Sequence, residues 1–463
     1  LLWPRGHRDA EAELVVDYPS EWTLSCSLRG EESSTERHRR STLRAAGLDE
    51  ALDAPVLIGL TRRLEWQVDG VDHAIDLDGL ASVSPPPTLT EDLAAIVRAA
   101  KGVFDDELPY ERYVFQALFS GEGYGGLEHR DSSTLLMPRT SLTTPTGYRD
   151  FLGLAAHELF HAWNVKRMRP AEFWEYDYEA ENYTRLLWLI EGWTAYYDDV
   201  LVTHAGRMTH ADYCATMAKN IQNMRAAPGR LELSLEESSF DAWIRLYRPD
   251  EDTRNSSQNY YGNGAVAAMC LDLGIRRATG GERSLDHVLR ALWQQTFEQG
   301  RGYRLEDVHR AVTDIAGAGL VEELVGLVAG SLDPELDDWL RDVGLCLEAR
   351  DAGKPFLGLA LKAGTTRVAS VTRGGPACRG GVAPDDELLA FEDLRVSNST
   401  WQTVLTSVAS VGEPLAVLVA RRGVIRRVEV TPLAGPGIAR LVLDPTATAA
   451  QLRAREAWLG ADS

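Results

Sequence analysis

His157, Glu158 and His161 form an H-E-x-x-H pattern, the segment of the chain that is most suggestive of chemistry. On a helix, positions i and i+4 share one face, so the two imidazoles can bind one metal ion. The glutamate between them then projects beside the water that the metal activates, where it can act as a general base. The apolar residues between Leu152 and Phe160 favour a largely buried helix over a surface helix with two solvated histidines.

Glu191 is the candidate for a third ligand, because a catalytic zinc site uses three protein ligands and leaves one position open. It is the single charge in the apolar and aromatic segment from Leu186 to Tyr197. A lone carboxylate in such a helix is unfavourable unless it is paired or binds a metal, and the alternative here is an ion pair with Arg185. Three polar residues further along could hydrogen-bond a ligand imidazole: Thr194, Asp198 and Asp199.

A glycine-rich run from Gly121 to Gly126 contains G-x-G-x-x-G, a pattern that also occurs in dinucleotide sites. Such sites require a helix after the last glycine, whereas the residues that follow are strand-like, so we reject this interpretation. Gly125 and Gly126 instead allow a substrate backbone to approach an edge strand. Glu128 could then receive a cationic amine, the alternative being a solvated strand residue.

The N-terminal elements are predicted to be strands, since short apolar or alternating runs extend from Glu11 to about Leu77. The first run, Glu13 to Val16, has no obvious hairpin partner before it in the chain, and a charged insert interrupts the region from Arg29 to Arg44. We therefore expect residues 1–85 to be the last part of a larger N-terminal β domain.

Helical periodicity dominates from Tyr148 to about Cys346, and the period returns to two at Gly353. The sequence therefore predicts a multidomain α+β chain. Its parts are the partial β domain over 1–85, a mainly helical catalytic domain over 86–352, a compact β module over 353–434 and a tail over 435–463. The helix of the tail is expected to pack back on the body.

The composition excludes several classes of function. With 48 Lys and Arg against 69 Asp and Glu, the net charge is −21, which argues against nucleic-acid binding. No apolar run reaches the 18 or so residues of a membrane span. The five cysteines are far apart, which argues against a disulfide scaffold and weakly favours the cytoplasm.

The segments His157 to Pro170 and Glu181 to Asp199 resemble the PDZ-bearing glycyl aminopeptidase family of gluzincin metallopeptidases. Three further segments match the pattern of that family: Gly125 to His129, Pro228 to Arg230, and Ser238 to Trp243. The resemblance implies a thermolysin-like catalytic domain and one zinc ion per chain, held by His157, His161 and Glu191. It also implies a preference for small N-terminal residues such as glycine and alanine.

The same resemblance assigns roles around the metal. Glu128 receives the amine of the substrate, and Tyr261, with Tyr260 as the alternative, stabilises the oxyanion. The C-terminal module is similar to a PDZ domain, whose carboxylate-binding loop corresponds to four residues here: Phe356, Leu357, Gly358 and Leu359. Packing against the catalytic domain is an equal alternative for this module.

The sequence thus predicts a zinc aminopeptidase that acts on peptides with a free N-terminus. Two alternatives are an endopeptidase of the same fold that recruits proteins through the PDZ-like module, and a scaffold in which that module is the working part. A peptide C-terminus is the expected partner of the module.

Overall fold

The computed structural model describes residues 3–461. In that part of the chain, the apolar side chains form three separate buried clusters. The smallest lies in the N-terminal region, the largest in the centre of the chain and the third in the C-terminal β module. This is a multidomain α+β architecture. No helix within residues 3–461 is long and apolar enough to cross a membrane.

The N-terminal domain is a small β structure with its own core. It comprises β1 (Ala12–Pro19), β2 (Thr23–Ser25), β3 (Gly30–Ser34), β4 (His38–Ala45), α1 (Leu48–Leu52) and β5 (Leu57–Gly59). The charged insert, which the sequence did not mark as strand, is the β3–β4 hairpin, and β4 pairs antiparallel with β1. The charged residues of this segment do not give the apolar alternation by which strands are recognised in a sequence. In the structure, Arg40 and Arg44 form cross-strand ion pairs with Asp17 and Glu13.

A five-stranded mixed sheet supports the central domain. Its strands are β6 (Arg62–Val68), β7 (Val71–Asp78), β8 (Arg112–Ser120), β9 (Gly125–Glu128) and β10 (Ser132–Pro138), in the order β6-β7-β8-β10-β9. β8 is parallel to β7 and β10, and β9 is an antiparallel edge strand. The predicted boundary at residue 85 is therefore too late. β6 and β7 belong to this sheet, and Ile75 and Leu77 lie in the central core.

Helices form the rest of the central domain. They are α2 (Leu89–Val103), α3 (Pro145–Phe160), α4 (Leu187–His204), α5 (His210–Ala226), α6 (Leu235–Phe240), α7 (Thr253–Ser256), α8 (Gly262–Ala278), α9 (Leu285–Gln295), α10 (Leu305–Ala316), α11 (Ala318–Val328) and α12 (Leu336–Arg341). α4 packs between α3 and α8. Gly192 and Gly264 meet where α4 crosses α8, since a Cβ atom on Gly192 would lie 2.6 Å from the Gly264 Cα atom. This close crossing brings Glu191 and the start of α8 to one place.

The C-terminal β module has a separate core. β11 (Leu345–Arg350) leads into it, and its elements are β12 (Pro355–Phe356), β13 (Leu359–Leu361), β14 (Val368–Val371), α13 (Pro376–Arg379), β15 (Glu387–Phe391), β16 (Leu394–Arg395), α14 (Trp401–Val408), β17 (Leu415–Arg421), β18 (Val424–Val430) and β19 (Leu433–Ala434). Asp386 is buried and accepts two hydrogen bonds from the Arg421 guanidinium. Asp385 before it has a φ of 66°, a conformation that glycine adopts more readily.

The tail over 435–463 returns to the central domain. β20 (Ile438–Leu443) pairs with β11, and α15 (Ala449–Leu459) ends on the central core. Trp458 is 0% exposed there and donates a hydrogen bond from Nε1 to the Tyr196 hydroxyl. The expectation that the last helix packs back on the body is confirmed. The two ends of the module are neighbours, since Gly353 N–H donates to the Gly435 carbonyl at 2.9 Å.

Candidate functional site

The H-E-x-x-H residues lie at the end of α3. Pro145 and the Thr144 side chain, which accepts from Gly147 N–H, start this helix. The helix ends at Phe160, earlier than the sequence indicated, and His161 is its first residue beyond the end. The His161 N–H still donates to the His157 carbonyl at 3.3 Å, so the two imidazoles stay on one face with ring centres 4.8 Å apart.

Glu191 on α4 faces both imidazoles. Its Oε2 atom lies 3.3 Å from His157 Nε2 and 3.2 Å from His161 Nε2. The alternative ion pair with Arg185 is not formed, because that guanidinium lies over the Phe240 ring. Within residues 3–461, these three side chains bring one ligand atom each within 4.8 Å of the others.

Two contacts fix the orientation of the imidazoles. His157 Nδ1 lies 3.0 Å from Asp198 Oδ2, and His161 Nδ1 donates to the Asn164 carbonyl at 2.7 Å. Both contacts occupy Nδ1, so the Nε2 atom of each ring is the one that faces Glu191, and its lone pair can bind a metal when the ring is neutral. Two imidazole nitrogens and a carboxylate oxygen are a donor set typical of a divalent transition metal such as zinc, so the residues fit the implied cofactor.

Of the three polar residues expected near the ligands, Asp198 makes the imidazole contact. Thr194 does not contact an imidazole but contacts Asn164: its hydroxyl accepts a hydrogen bond from Asn164 Nδ2 and donates one to the Ile190 carbonyl. Sequence reasoning missed Asn164, whose only signal was its position three residues after His161. Its main-chain carbonyl accepts a hydrogen bond from His161, and any residue type could provide that carbonyl.

The electrostatics follow from burial and from the crowding of charges. Burial would raise the pKa of Glu191, but the charge of His161 and hydrogen bonds from both imidazoles lower it below the usual carboxyl range. Burial opposes the charged form of His157, yet hydrogen bonds to Asp198 and Glu191 raise its pKa well above 6.5. For Glu158, burial dominates and raises the pKa, with Glu128 and Glu191 adding to the effect.

Glu158 and Glu128 approach the imidazoles from the side of the sheet. Carboxylate oxygens of both lie within 4.8 Å of each other and of a His161 nitrogen. β9 carries Glu128 at the free edge of the sheet, with Gly125 and Gly126 before it. Around Gly125 a Cβ atom would meet nothing within 4 Å, so a bound backbone has room there.

Tyr261 and Tyr260 precede α8 and differ in placement. The Tyr261 ring is stacked 6.2 Å from the His157 ring, and its hydroxyl lies 3.3 Å from that of Tyr247. Tyr260 is buried, and its hydroxyl donates to Tyr247 at 3.5 Å. Tyr247 is exposed and was not foreseen, since nothing in its sequence context marks it. Burial is the first cause that raises the pKa of Tyr261, so its hydroxyl stays protonated as a donor.

A cavity of about 870 Å³ opens beside Glu128, between the N-terminal and central domains. Its inner wall is charged. The buried Lys166 ammonium lies 2.7 Å from Asp53 of the N-terminal domain, and Asp53 also contacts the His129 ring at 3.2 Å. His129 is thus buried and paired.

The predicted carboxylate-binding loop connects β12 to β13 in the C-terminal module. Leu357 is buried in the module core, Phe356 is 39% exposed, and Gly358 has a φ of 69°. Leu359 begins β13 and pairs with Val371 of β14. The similarity of this module to a PDZ domain, and any ligand of its loop, stay predictions.

Comparisons with known proteins agree with this geometry. Residues 150–267 match the M61 glycyl aminopeptidase family, and residues 1–60 match the peptidase M61 N-terminal domain. The first match includes α3, α4 and the start of α8. No curated protein shows a significant sequence match.

Solved structures provide a second comparison. An aminopeptidase N family protein from Idiomarina loihiensis aligns with 98% of this chain and 80% of its own, at 26% identity and a TM-score of 0.89. A mutant M1 zinc metallopeptidase from Deinococcus radiodurans, bound to a Tyr-Ser-Ala substrate, aligns with 70% of this chain and 65% of its own. In that alignment the identity is 19% and the TM-score is 0.49.

The family match over 150–267 and the alignment with the Idiomarina structure both include the region that contains the two histidines and Glu191. Two imidazoles and a buried carboxylate around one point form a donor set that could hold a divalent cation, which agrees with a metal-dependent enzyme. Residues 150–267 and 1–60 therefore match domains of the M61 glycyl aminopeptidase family, and the chain is a metallopeptidase whose fold is similar to that of an aminopeptidase N family protein.

Proposed function

We propose that this protein is a zinc aminopeptidase that removes small N-terminal residues, above all glycine and alanine, from peptides. The observation that carries the proposal is the position of Glu128. Its carboxylate lies at the free edge of the sheet and within 4.8 Å of ligand atoms of Glu158 and His161. A carboxylate that close to the reaction centre can bind the free amine of a peptide and so place the first peptide bond at the reaction centre.

His157, His161 and Glu191 would hold the zinc ion. When bound, zinc supplies Lewis-acid chemistry, polarising the scissile carbonyl and acidifying water. Asp198 and the Asn164 carbonyl would keep the imidazoles oriented, because each accepts a hydrogen bond from an imidazole Nδ1 atom.

Glu158 would act as the general base. Its side chain lies beside the proposed ligands without belonging to the three that converge, and burial raises the pKa of its carboxyl group. A base with a raised pKa can take a proton from the attacking water and then give it to the leaving amine. The protonated Tyr261 hydroxyl would donate a hydrogen bond to the oxyanion.

Substrate binding would use β9 and Glu128 together. The backbone of a peptide can lie along this edge strand, since Gly125 leaves space beside the main chain. The substrate ammonium would then form a charge-assisted hydrogen bond with Glu128, which is worth about 1.5–3 kcal/mol.

The charged cavity beside Glu128 supports a preference for small first residues. A large apolar side chain that entered it would remove water from Lys166 and Asp53, whose charges are already partly buried. Glycine and alanine do not extend that far. The description of the matched family as glycyl aminopeptidases agrees with this preference.

The test compares free and N-acetylated glycyl and alanyl substrates, with leucyl and phenylalanyl substrates as the size series. We expect kcat/KM to be at least about 10-fold higher for the free forms, and Glu128→Gln to lose that discrimination. Gln keeps the size of the side chain, so a folding defect is not expected. Equal cleavage of free and blocked peptides would instead identify an endopeptidase.

A further inference from the structure

The C-terminal β module contacts the central domain close to the proposed oxyanion donor. Asn255 on α7 makes this contact with its side-chain amide. Its Nδ2 atom donates to the Val371 carbonyl at 2.9 Å, and its Oδ1 atom accepts from Arg373 N–H at 2.8 Å. One amide thus pairs with two main-chain groups at the end of β14, much as a neighbouring strand would.

Asn255 is 4% exposed, so water cannot replace these hydrogen bonds when they are broken. Neutral hydrogen bonds lost from a buried site leave donors and acceptors without partners, which is more damaging than losing a surface ion pair. The ion pairs nearby are of the surface kind, since Arg373 lies 3.1 Å from Asp252 and 3.8 Å from Glu232, with all three side chains about half exposed.

Five residues lie between Asn255 and Tyr261, and this segment is held tightly. Ser238 Oγ donates to the Gln258 carbonyl at 2.6 Å, and the Asn259 side chain accepts from Tyr261 N–H at 2.8 Å. Gly229 packs so closely that a Cβ atom would lie 2.0 Å from the Ser257 carbonyl oxygen. Because this segment is packed tightly, a displacement of Asn255 is expected to displace Tyr261 as well.

The end of β14 is itself fixed inside the module. Val371 pairs with Leu359 of β13, and Thr372 N–H donates to the Gly358 carbonyl at 2.8 Å. The module thus presents a rigid edge to Asn255.

We propose that Asn255 is a positioning residue, which uses the C-terminal β module as a platform to place Tyr261 over the metal site. The inference rests on the proposed function, because it takes the Tyr261 hydroxyl as the donor to the oxyanion. It gives the module a part in catalysis that does not require the module to bind a peptide.

The test measures kcat and KM of the full-length, zinc-loaded protein with a glycyl chromogenic substrate. The variants are Asn255→Ala, Tyr261→Phe and the double variant. Asn255→Ala is expected to lower kcat by roughly 10-fold with little change in KM, because small misplacements of a catalytic group mainly affect the transition state. If Asn255 acts through Tyr261, the double variant has the same kcat as Tyr261→Phe alone.

Gln222→Ala is the matched control. The Gln222 side chain accepts from Ala439 N–H at 2.7 Å and so also joins the central domain to the C-terminal part of the chain, but on α5. Its kcat should match that of the unmodified enzyme. Asn255→Asp serves as a second variant of the same shape, which keeps the acceptor for Arg373 N–H and loses the donor to Val371.

Each outcome has a distinct meaning. Equal kcat in Asn255→Ala and the unmodified enzyme, with Tyr261→Phe impaired, would overturn the inference and leave the proposed function standing. Additive losses in the double variant would also overturn it, since Asn255 would then act independently of the tyrosine. An unimpaired Tyr261→Phe would remove the proposed role of the tyrosine and this inference with it.

Discussion

Glu158 lies directly against the backbone of Gly126. A Cβ atom on Gly126 would come within 2.0 Å of Glu158 Oε1 and 2.6 Å of its Cγ atom, distances that no pair of unbonded atoms tolerates. The absence of a side chain at residue 126 therefore makes the space that the Glu158 carboxylate occupies. β9 contributes to the site both by carrying Glu128 and by leaving this space free.

Gly126→Ala should abolish most activity without unfolding the protein. The atoms that must move belong to the flexible end of Glu158, so the carboxylate is displaced while the strand stays paired. We expect kcat to fall by about 10² or more, similar to the loss of a general base, with metal content unchanged. The control is Gly121→Ala, earlier in the same glycine-rich run, where the added methyl group meets nothing within 4 Å. Equal kcat in the two variants would contradict the argument.

Glu158→Gln tests the same carboxylate chemically. The amide keeps the size of the side chain and cannot accept the proton, so kcat should fall by at least about 10² while fold and metal content persist. Circular dichroism and elemental analysis provide the controls. Near-normal turnover would remove Glu158 as the base.

Glu191→Ala should lose most of the bound zinc, because two imidazoles alone make a weak site. Asp198→Asn leaves the three ligands in place and weakens the hydrogen bond that orients His157. We expect a smaller loss of zinc affinity there, about 10- to 100-fold, as for other groups that support a ligand. Elemental analysis and competition with a chelator measure both. Stoichiometric zinc in Glu191→Ala would refute the ligand assignment.

Tyr261→Phe and Tyr260→Phe should separate the two tyrosines that the sequence left open. Only the Tyr261 ring stacks on His157, whereas the buried Tyr260 hydroxyl is directed to Tyr247. We predict that Tyr261→Phe lowers kcat by about 10²-fold, as for loss of an oxyanion donor, and that Tyr260→Phe changes it much less. The reverse order would assign the role to Tyr260.

The sequence predicted the residues that converge at the metal site because their chemistry is explicit in residue type and local spacing. His157 and His161 follow helical geometry, and Glu191 was conspicuous as a charge in an apolar helix. The contacts that complete the site come from folding at long range. Asn164 acts through its carbonyl, and Asn255 meets Val371 across 116 residues of chain.

For the fold as well, the sequence predicted local elements but not their long-range pairing. Apolar periodicity found the long helices, but it missed the β3–β4 hairpin, whose side chains are mostly polar or charged. It also could not show that β20 pairs with β11 across the whole C-terminal module, since strand pairing at that separation is not encoded in either strand alone.

The C-terminal module should be removable from within the chain but not by truncation. Gly353 and Gly435 are hydrogen-bonded neighbours, so joining them directly deletes 354–434 while β11, β20 and α15 remain. This internal deletion should be soluble and bind zinc, with kcat lowered because the Asn255 contacts are gone.

Truncation after Gly353 is the matched comparison. It also removes β20 and Trp458, which is buried in the central core, and loss of a buried tryptophan side chain alone destabilises a protein by about 3–5 kcal/mol. The truncated chain should therefore be insoluble or melt well below the internal deletion, as measured by thermal unfolding. Equal melting temperatures would show that the tail contributes little, whereas an insoluble internal deletion would make the module itself an obligate part of the folded core.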